Sequence, residues 1–391
     1  MTLTGDILIK DGTVIQPEVD FCGKADVLIS DGCIKAVLKH GEPAKASKTF
    51  HADNCIVTPG LIDFHTHLFN GGSEIGVNPD AFLFPQGVTA AVDQGTSGLA
   101  NVDSFYKDVV AASEVKVFAF LNVSSSGLTT LPRCFENLDP DTMDLVKLQQ
   151  KFSRYHEKLI GLKVRTSEEI VGDYGYRPLQ RARELADAIH CPIAVHTTNA
   201  PGTHVDLLSR FKKGDIYAHM YQGRKNSIVN AEGHVDPAVW EARKRGVLFD
   251  TADGRDHYRF TVIKRAMREG FLPDIISTDL VRANVFDKAV FGLPLVLSKY
   301  LALGLPLPEA IKKCTVNPAK VLKKAQEIGT FREGSVADVS IFKLENLPIQ
   351  MRDVFGDHLD LDRVLITKAT IADGRVVFAQ LNYSPYIEEY R

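Results

Sequence analysis

Two histidines one residue apart, His65 and His67, end an apolar run. In a strand alternate side chains share a face, so both imidazoles can reach one metal ion. Later runs end in residues of the same chemical kind. Gly161-Leu-Lys-Val-Arg165 carries Lys163 and Arg165, and Ile276-Ser-Thr-Asp279 closes on Asp279. His196 follows Ile193-Ala-Val195, and His219 follows Ile216-Tyr-Ala218. A lone histidine usually serves packing or the surface, and a lysine in an apolar strand is costly. Four histidines, one lysine and one aspartate at the ends of five separate apolar runs read instead as one cluster able to hold cations. The sequence has no G-x-S-x-G nucleophile elbow and no glycine-rich phosphate loop. Ser124-Ser-Ser-Gly127 reads as a loop.

The elements that must position this cluster alternate along the chain. Eight short apolar runs fall at 61–64, 88–92, 116–121, 159–164, 193–195, 216–218, 247–249 and 275–277. Helical patterns stand between them, including 179–189, 237–245 and 260–268. Eight strand-then-helix units predict a (β/α)8 TIM barrel, whose chemistry sits at the C-terminal strand ends. Both termini read differently. Strands flank Asp11-Gly12, Asp31-Gly32 and Asp373-Gly374, three turn signals. The expected fold class is therefore α/β, with a small β-sandwich domain formed by both termini. The expected division is 1–57 and 327–391 for that domain and 58–326 for the barrel.

Composition fits this picture and excludes several classes. The 391 residues include 46 basic and 49 acidic side chains, a net charge of −3. Near neutrality gives no general attraction to nucleic acid or anionic lipid. With 45% hydrophobic residues, the chain can bury a large core. No apolar run is long enough to span a membrane, and residues 1–12 do not resemble a signal peptide. The six cysteines form no C-x-x-C pair and read as reduced thiols, so a cytoplasmic protein is expected.

Val57-Thr-Pro-Gly-Leu-Ile-Asp-Phe-His-Thr-His67 resembles the strand-one signature of the amidohydrolase superfamily. Asn317-Pro-Ala319 and Gly329-Thr-Phe-Arg-Glu-Gly-Ser-Val-Ala-Asp-Val339 resemble its closing segment. The Lys163 and Asp279 motifs look like those of the dihydroorotase-related deacetylase branch. The resemblance spans essentially the whole chain and implies two divalent ions, usually zinc. It implies that His65, His67 and Asp279 hold the more buried ion, and His196 and His219 the more exposed one. Lys163, as N6-carboxylysine, would bridge them. The chemistry agrees: an uncharged buried amine can add carbon dioxide, and the carbamate is an anionic oxygen ligand suited to two cations.

The implied reaction is hydrolysis of an amide or ester by a metal-bridging hydroxide, with Asp279 as the catalytic proton carrier. Arg165 shares the parity of Lys163 and is expected to pair with a substrate carboxylate. Tyr221, with the parity of His219, and Asn122, at the end of strand three, are further candidate substrate contacts. The expected substrate is a small N-acyl amino acid or acyl hydroxy acid. The alternatives are a cyclic-amide hydrolase, a nucleobase deaminase, or a non-enzymatic scaffold, which the retained ligand positions disfavour. After strand seven the chain reads Phe249-Asp-Thr-Ala-Asp-Gly254, where this branch more often has a His-Gly pair. Arg255, Asp256, His257 and Tyr258 there either shape a different pocket or form an exposed loop; His257 and the six other histidines outside the cluster, apart from His40, are treated as structural or surface residues. The expected partner is a small molecule, and the expected state a homo-oligomer.

Overall fold

A computed structural model describes residues 2–287 and 289–383. The first five strands are β1 (Leu3–Gln16), β2 (Phe21–Ser30), β3 (Cys33–Lys39), β4 (Ala44–His51) and β5 (Ile56–Pro59). Seven more follow: β6 (Leu61–Thr66), β7 (Val88–Gln94), β8 (Lys116–Asn122), β9 (Leu159–Arg165), β10 (Ile193–His196), β11 (Ile216–Ala218) and β12 (Leu248–Phe249). The last three are β13 (Val339–Arg352), β14 (His358–Ala372) and β15 (Arg375–Ala379).

β6 to β12 form one parallel sheet in sequence order. Every residue of β6 and β7 is buried, as a sheet covered by helices on its outer face requires. The segment 275–280 then bonds to both edges. Ile275 bridges Asp250 beyond β12, and Leu280 bridges Thr66 of β6, both in parallel. The layout is TIM-barrel-like. Ile62, Phe64, Ala90, Val92, Phe118 and Phe120, alternate residues of three strands, share one apolar cluster with Leu322 and Ile328. Apolar side chains thus fill the interior below the strand ends, and polar side chains are gathered above it.

β1–β5 and β13–β15 form a second, mixed sheet of eight strands. Its strands are hydrogen-bonded into one connected sheet, and residues from strands across it share one apolar cluster. The connection lies in β1. Asp11-Gly12 does not turn the chain back; Asp11 has φ 65° and the ladder with β2 shifts register between Ile9 and Gly12. This bulge lets β1 run on, pairing β4 through residues 3–10 and β5 through Thr13 and Val14. Asp31-Gly32 and Asp373-Gly374 are true hairpin turns with positive φ at both residues. β13 and β14 extend beyond this sheet as a long ribbon. At its tip, Asp353 accepts from the Phe260 amide (2.8 Å) and Asp357 from the Thr261 amide (3.3 Å). Residues 384–391 of the expected β-domain lie outside the described residues. None of the six cysteines is paired in a disulfide. No helix among the described residues is long and apolar enough to cross a membrane.

Candidate metal centre and active site

The C-terminal ends of the parallel strands bring the six candidate residues together. His65 leaves β6 with Nε2 3.5 Å from Asp279 Oδ1 and 3.2 Å from Lys163 Nζ. His67 Nε2 lies 3.2 Å from the same Asp279 oxygen. The rings of His65 and His219 are 5.0 Å apart, and those of His196 and His219 are 4.3 Å apart. All six residues are at most 8% exposed.

The local backbone is shaped for this convergence. His219 and Asp279 both adopt left-handed φ, 61° and 54°, an uncommon state for residues with a Cβ. Each marks a sharp departure from its strand that turns a polar side chain inward. At Gly95 (φ 79°) a Cβ would stand 2.7 Å from Lys163 Cβ and Cγ, so glycine there leaves the lysine its path.

The electrostatics favour metal ligation. Burial holds the imidazoles of His65, His196 and His219 well below their ordinary pKa, so each is neutral and has a lone pair. Burial opposes ionisation of Asp279, but its hydrogen bond with His67 and the imidazoles around it keep it well below the carboxylate range. Burial pushes Lys163 down to about 8. The ring orientations are set from outside. His65 Nδ1 faces Asp250 Oδ2 at 3.2 Å, His67 Nδ1 faces Thr96 Oγ1 at 2.8 Å, and His219 Nδ1 faces the Ala252 carbonyl at 2.7 Å. The last contact makes Nδ1 the donor and leaves Nε2 of His219 as a bare acceptor, buried and without a hydrogen-bond partner. His196 Nε2 is bonded to Thr198 Oγ1. His65, His67 and Asp279 each offer a donor atom within 4.8 Å of the others. A set of neutral imidazoles around an ionised carboxylate, with an orphaned ring nitrogen, fits a divalent cation.

These residues floor a cavity of about 310 Å³. Its walls include Leu128, Leu131, Phe135, Arg165, Arg224 and Arg255. Arg165 faces it as expected, stacked near the Phe135 ring (5.8 Å) and held by one long contact to Glu136, 3.4 Å. Two other expected contacts do not reach it. Tyr221 is fully buried, and its hydroxyl donates to the Phe271 carbonyl at 3.1 Å, packed against Tyr300 instead. Asn122 donates to the Gly95 carbonyl (3.0 Å) and accepts from the Ser124 amide (2.9 Å), so both ends of its amide serve the loop. A larger cavity of about 760 Å³ opens elsewhere, beside Leu159, Ile160 and Leu248 near the strand starts, away from these groups.

The structure also brings in residues outside the six candidates. His257 enters from the loop after β12, with Nε2 3.5 Å from Asp279 Oδ2. It is not the structural or surface residue expected. Asp250 and Asp63 are buried beneath the ligands, and Asp63 accepts from the Thr278 hydroxyl at 2.6 Å. Burial raises Asp63 to about 7 and Asp250 to about 8. Asp63 and Asp250 adjoin the strand-end motifs, which is the one signal that could have marked them.

Known proteins resemble this chain over most of its length. A deacetylase of Brucella anthropi is 28% identical over 355 residues, covering 90% of this chain and 88% of its own. A solved adenine deaminase superposes with TM-score 0.87 at 28% identity, covering 96% of this chain and 100% of that one. A solved dihydroorotase gives 0.84 at 27% identity, covering 96% and 98%. The pattern of the amidohydrolase family matches residues 56–377, which takes in every residue of the cluster. The chain belongs to the amidohydrolase family and is a hydrolase acting on carbon–nitrogen bonds.

Proposed function

We propose that the protein is a binuclear metal-dependent hydrolase that deacylates a small acylated carboxylate, an N-acyl amino acid or acyl hydroxy acid. The observation that carries this reading is Lys163. Its Nζ lies 3.2 Å from one donor set, and its charge is felt by His196 and His219 of the other. Beside two cations a third positive charge would be repelled. In this reading the amine adds carbon dioxide, forming an N–C bond and releasing a proton. With its pKa pushed down to about 8, about one amine in ten is uncharged at pH 7. Two divalent ions, with zinc the leading candidate, would then be held by His65, His67 and Asp279 and by His196 and His219, with carboxylated Lys163 shared.

When bound, the ions would acidify a water and polarise the scissile carbonyl. The remaining work falls to the chain. Asp279 accepts the proton of the attacking water and returns it to the leaving nitrogen or oxygen. Arg165, which makes one long contact to Glu136 among the described residues, has donors left for a substrate carboxylate. Arg224 and Arg255 add positive charge at the mouth. Leu128, Leu131 and Phe135 give the acyl group an apolar wall. The deacetylase relative supports this reading.

The same reading takes the composite β-domain as 1–57 and 327–391, around a closed (β/α)8 barrel at 58–326. Six free thiols support a reducing, cytoplasmic setting. A second reading, opening of a cyclic amide, is favoured by the likeness to the dihydroorotase. Turnover should be measured for N-acyl amino acids of both hands, acylated hydroxy acids, cyclic ureides and adenine, with metal counted per chain. Two ions and acyl release support the proposal. One ion with ammonia release from adenine overturns it, and ring opening alone selects the second reading.

A further inference from the structure

We infer that His257 is a third imidazole donor to the more exposed metal position, alongside His196 and His219. The inference rests on the binuclear reading above. One ring nitrogen from each of the three histidines lies within 4.8 Å of the others. The His257 ring centroid is 4.3 Å from that of His219 and 5.2 Å from that of His196. Buried imidazoles packed this closely leave ring lone pairs unsatisfied unless a hydrogen-bond donor or an ion takes them. The free nitrogens bear this out. Nε2 of His219 and Nδ1 of His257 are both buried with no hydrogen-bond partner. The nearest carboxylate oxygen to His257 Nδ1, on Asp256, is 3.6 Å away, beyond hydrogen-bond reach.

The loop is built to deliver this ring. Gly254 has φ 54°, and a Cβ there would stand 2.7 Å from His257 Cδ2 and 2.8 Å from Asp279 Oδ2. Glycine therefore keeps open the space that both side chains need. On the far side, Asp253 is tied down by Lys299 (2.7 Å) and by the Tyr300 hydroxyl (3.0 Å). The Lys299 ammonium also lies 3.7 Å from the Tyr258 ring centroid. His257 thus hangs between two anchored neighbours, Asp253 and Tyr258. This gives the departure from the His-Gly pattern after β12 a chemical purpose: a histidine arrives four residues beyond Asp253, on the exposed side of the cluster.

The experiment is metal binding by His257→Ala, read by elemental analysis and chelator competition, with anomalous scattering from crystals to locate each ion. The expected result is a buried position held as in the wild type and an exposed position weakened at least about tenfold. Added free imidazole should restore the second ion. Cobalt substitution should show an altered absorption spectrum. His257 is one-fifth exposed on its side chain, so the variant should fold, and melting of the metal-free protein checks this. Equal affinity for both ions in variant and wild type overturns the inference. Selective loss of the buried ion also overturns it, since that assigns His257 to positioning Asp279. A wild type that holds fewer than two ions fails the binuclear reading itself, which separates the two failures.

Discussion

Asp250 grips His65 from behind: its Oδ2 lies 3.2 Å from Nδ1 of the ring, while its Oδ1 accepts from the Ser277 hydroxyl at 2.6 Å. Both side chains are buried. With Asp250 ionised, as a cation on His65 would favour, the contact makes Nδ1 the protonated nitrogen and leaves the Nε2 lone pair toward Lys163 and Asp279. Asn at position 250 could present its amide N–H to Nδ1 and reverse that tautomer. Asp250→Asn should therefore weaken the buried metal position about 10–100-fold, the usual cost of losing such an orienting partner. Chelator competition measures it. Unchanged affinity would show that the tautomer is fixed elsewhere.

Arg165 presents its guanidinium to the cavity with one long contact to Glu136. If it reads a substrate carboxylate, Arg165→Met should lower kcat/KM for acylated carboxylates about 10–100-fold, from the loss of charge-assisted hydrogen bonds worth about 1.5–3 kcal/mol. The loss should fall mainly on KM. Arg165→Lys should recover little, because an ammonium cannot match a carboxylate in two parallel bonds. An ester or amide lacking the carboxylate should be turned over equally by all three proteins. Equal kcat/KM on the acylated carboxylates would remove Arg165 from recognition.

The legible part of the site is the part that strand parity controls. Lys163 and His196 belong to strands or their ends, where alternation fixes the direction of each side chain; the shared parity of His65 and His67 keeps those two together, past a register shift in β6 between Asp63 and Thr66. Parity failed at Tyr221 because it holds only within a strand. β11 ends at Ala218, and His219 leaves it with φ 61°, so Tyr221 points into the packing beside Phe271. Asn122 shows the second limit. It lies in β8, level with Lys163, yet the Gly95 carbonyl and Ser124 amide claim its polar atoms. Only the path of neighbouring loops reveals that competition. His257 was invisible for the same reason, since a loop has no period. In the terminal sheet, Asp11-Gly12 carries a hairpin signal but forms a bulge. A local dipeptide cannot report that β4 and β5 wait along the same edge of β1.

Lys299 and Asp253 form an ion pair at 2.7 Å with both side chains wholly buried. Removing one partner strands the other's charge. Lys299→Met should cost about 3–5 kcal/mol of stability, read by denaturant unfolding of the metal-free protein. Adding Asp253→Asn to the same chain should recover most of that loss, because the pair is then replaced rather than broken. If the double variant is no better than the single one, the pair's packing against Tyr258 and Tyr300 outweighs its charge.

The last prediction concerns pH. In metal-free protein kept free of carbon dioxide, Lys163 is a plain buried amine. Burial lowers its pKa from 10.5 to about 8. A depressed lysine pKa means that the folded state holds the proton less well than the unfolded chain does. Below about pH 8 both states are protonated, and the folded state bears the full cost of the buried ammonium. Between about 8 and 10.5 the unfolded chain keeps a proton that the folded state has lost, so stability rises with pH. The gap of about 2.5 pH units corresponds to something on the order of 3 kcal/mol. Asp63 and Asp250 act in the opposite sense: Asp63, raised to about 7, is largely ionised before this window opens, and Asp250, raised to about 8, is half ionised at its lower edge. Other buried lysines titrate here too, so the quantity to measure is the difference between wild type and Lys163→Met. The wild type should gain on the variant by about that amount between pH 8 and 10.5. Parallel profiles would mean that Lys163 carries no desolvation cost in the fold, and the physical basis for its carboxylation would be gone.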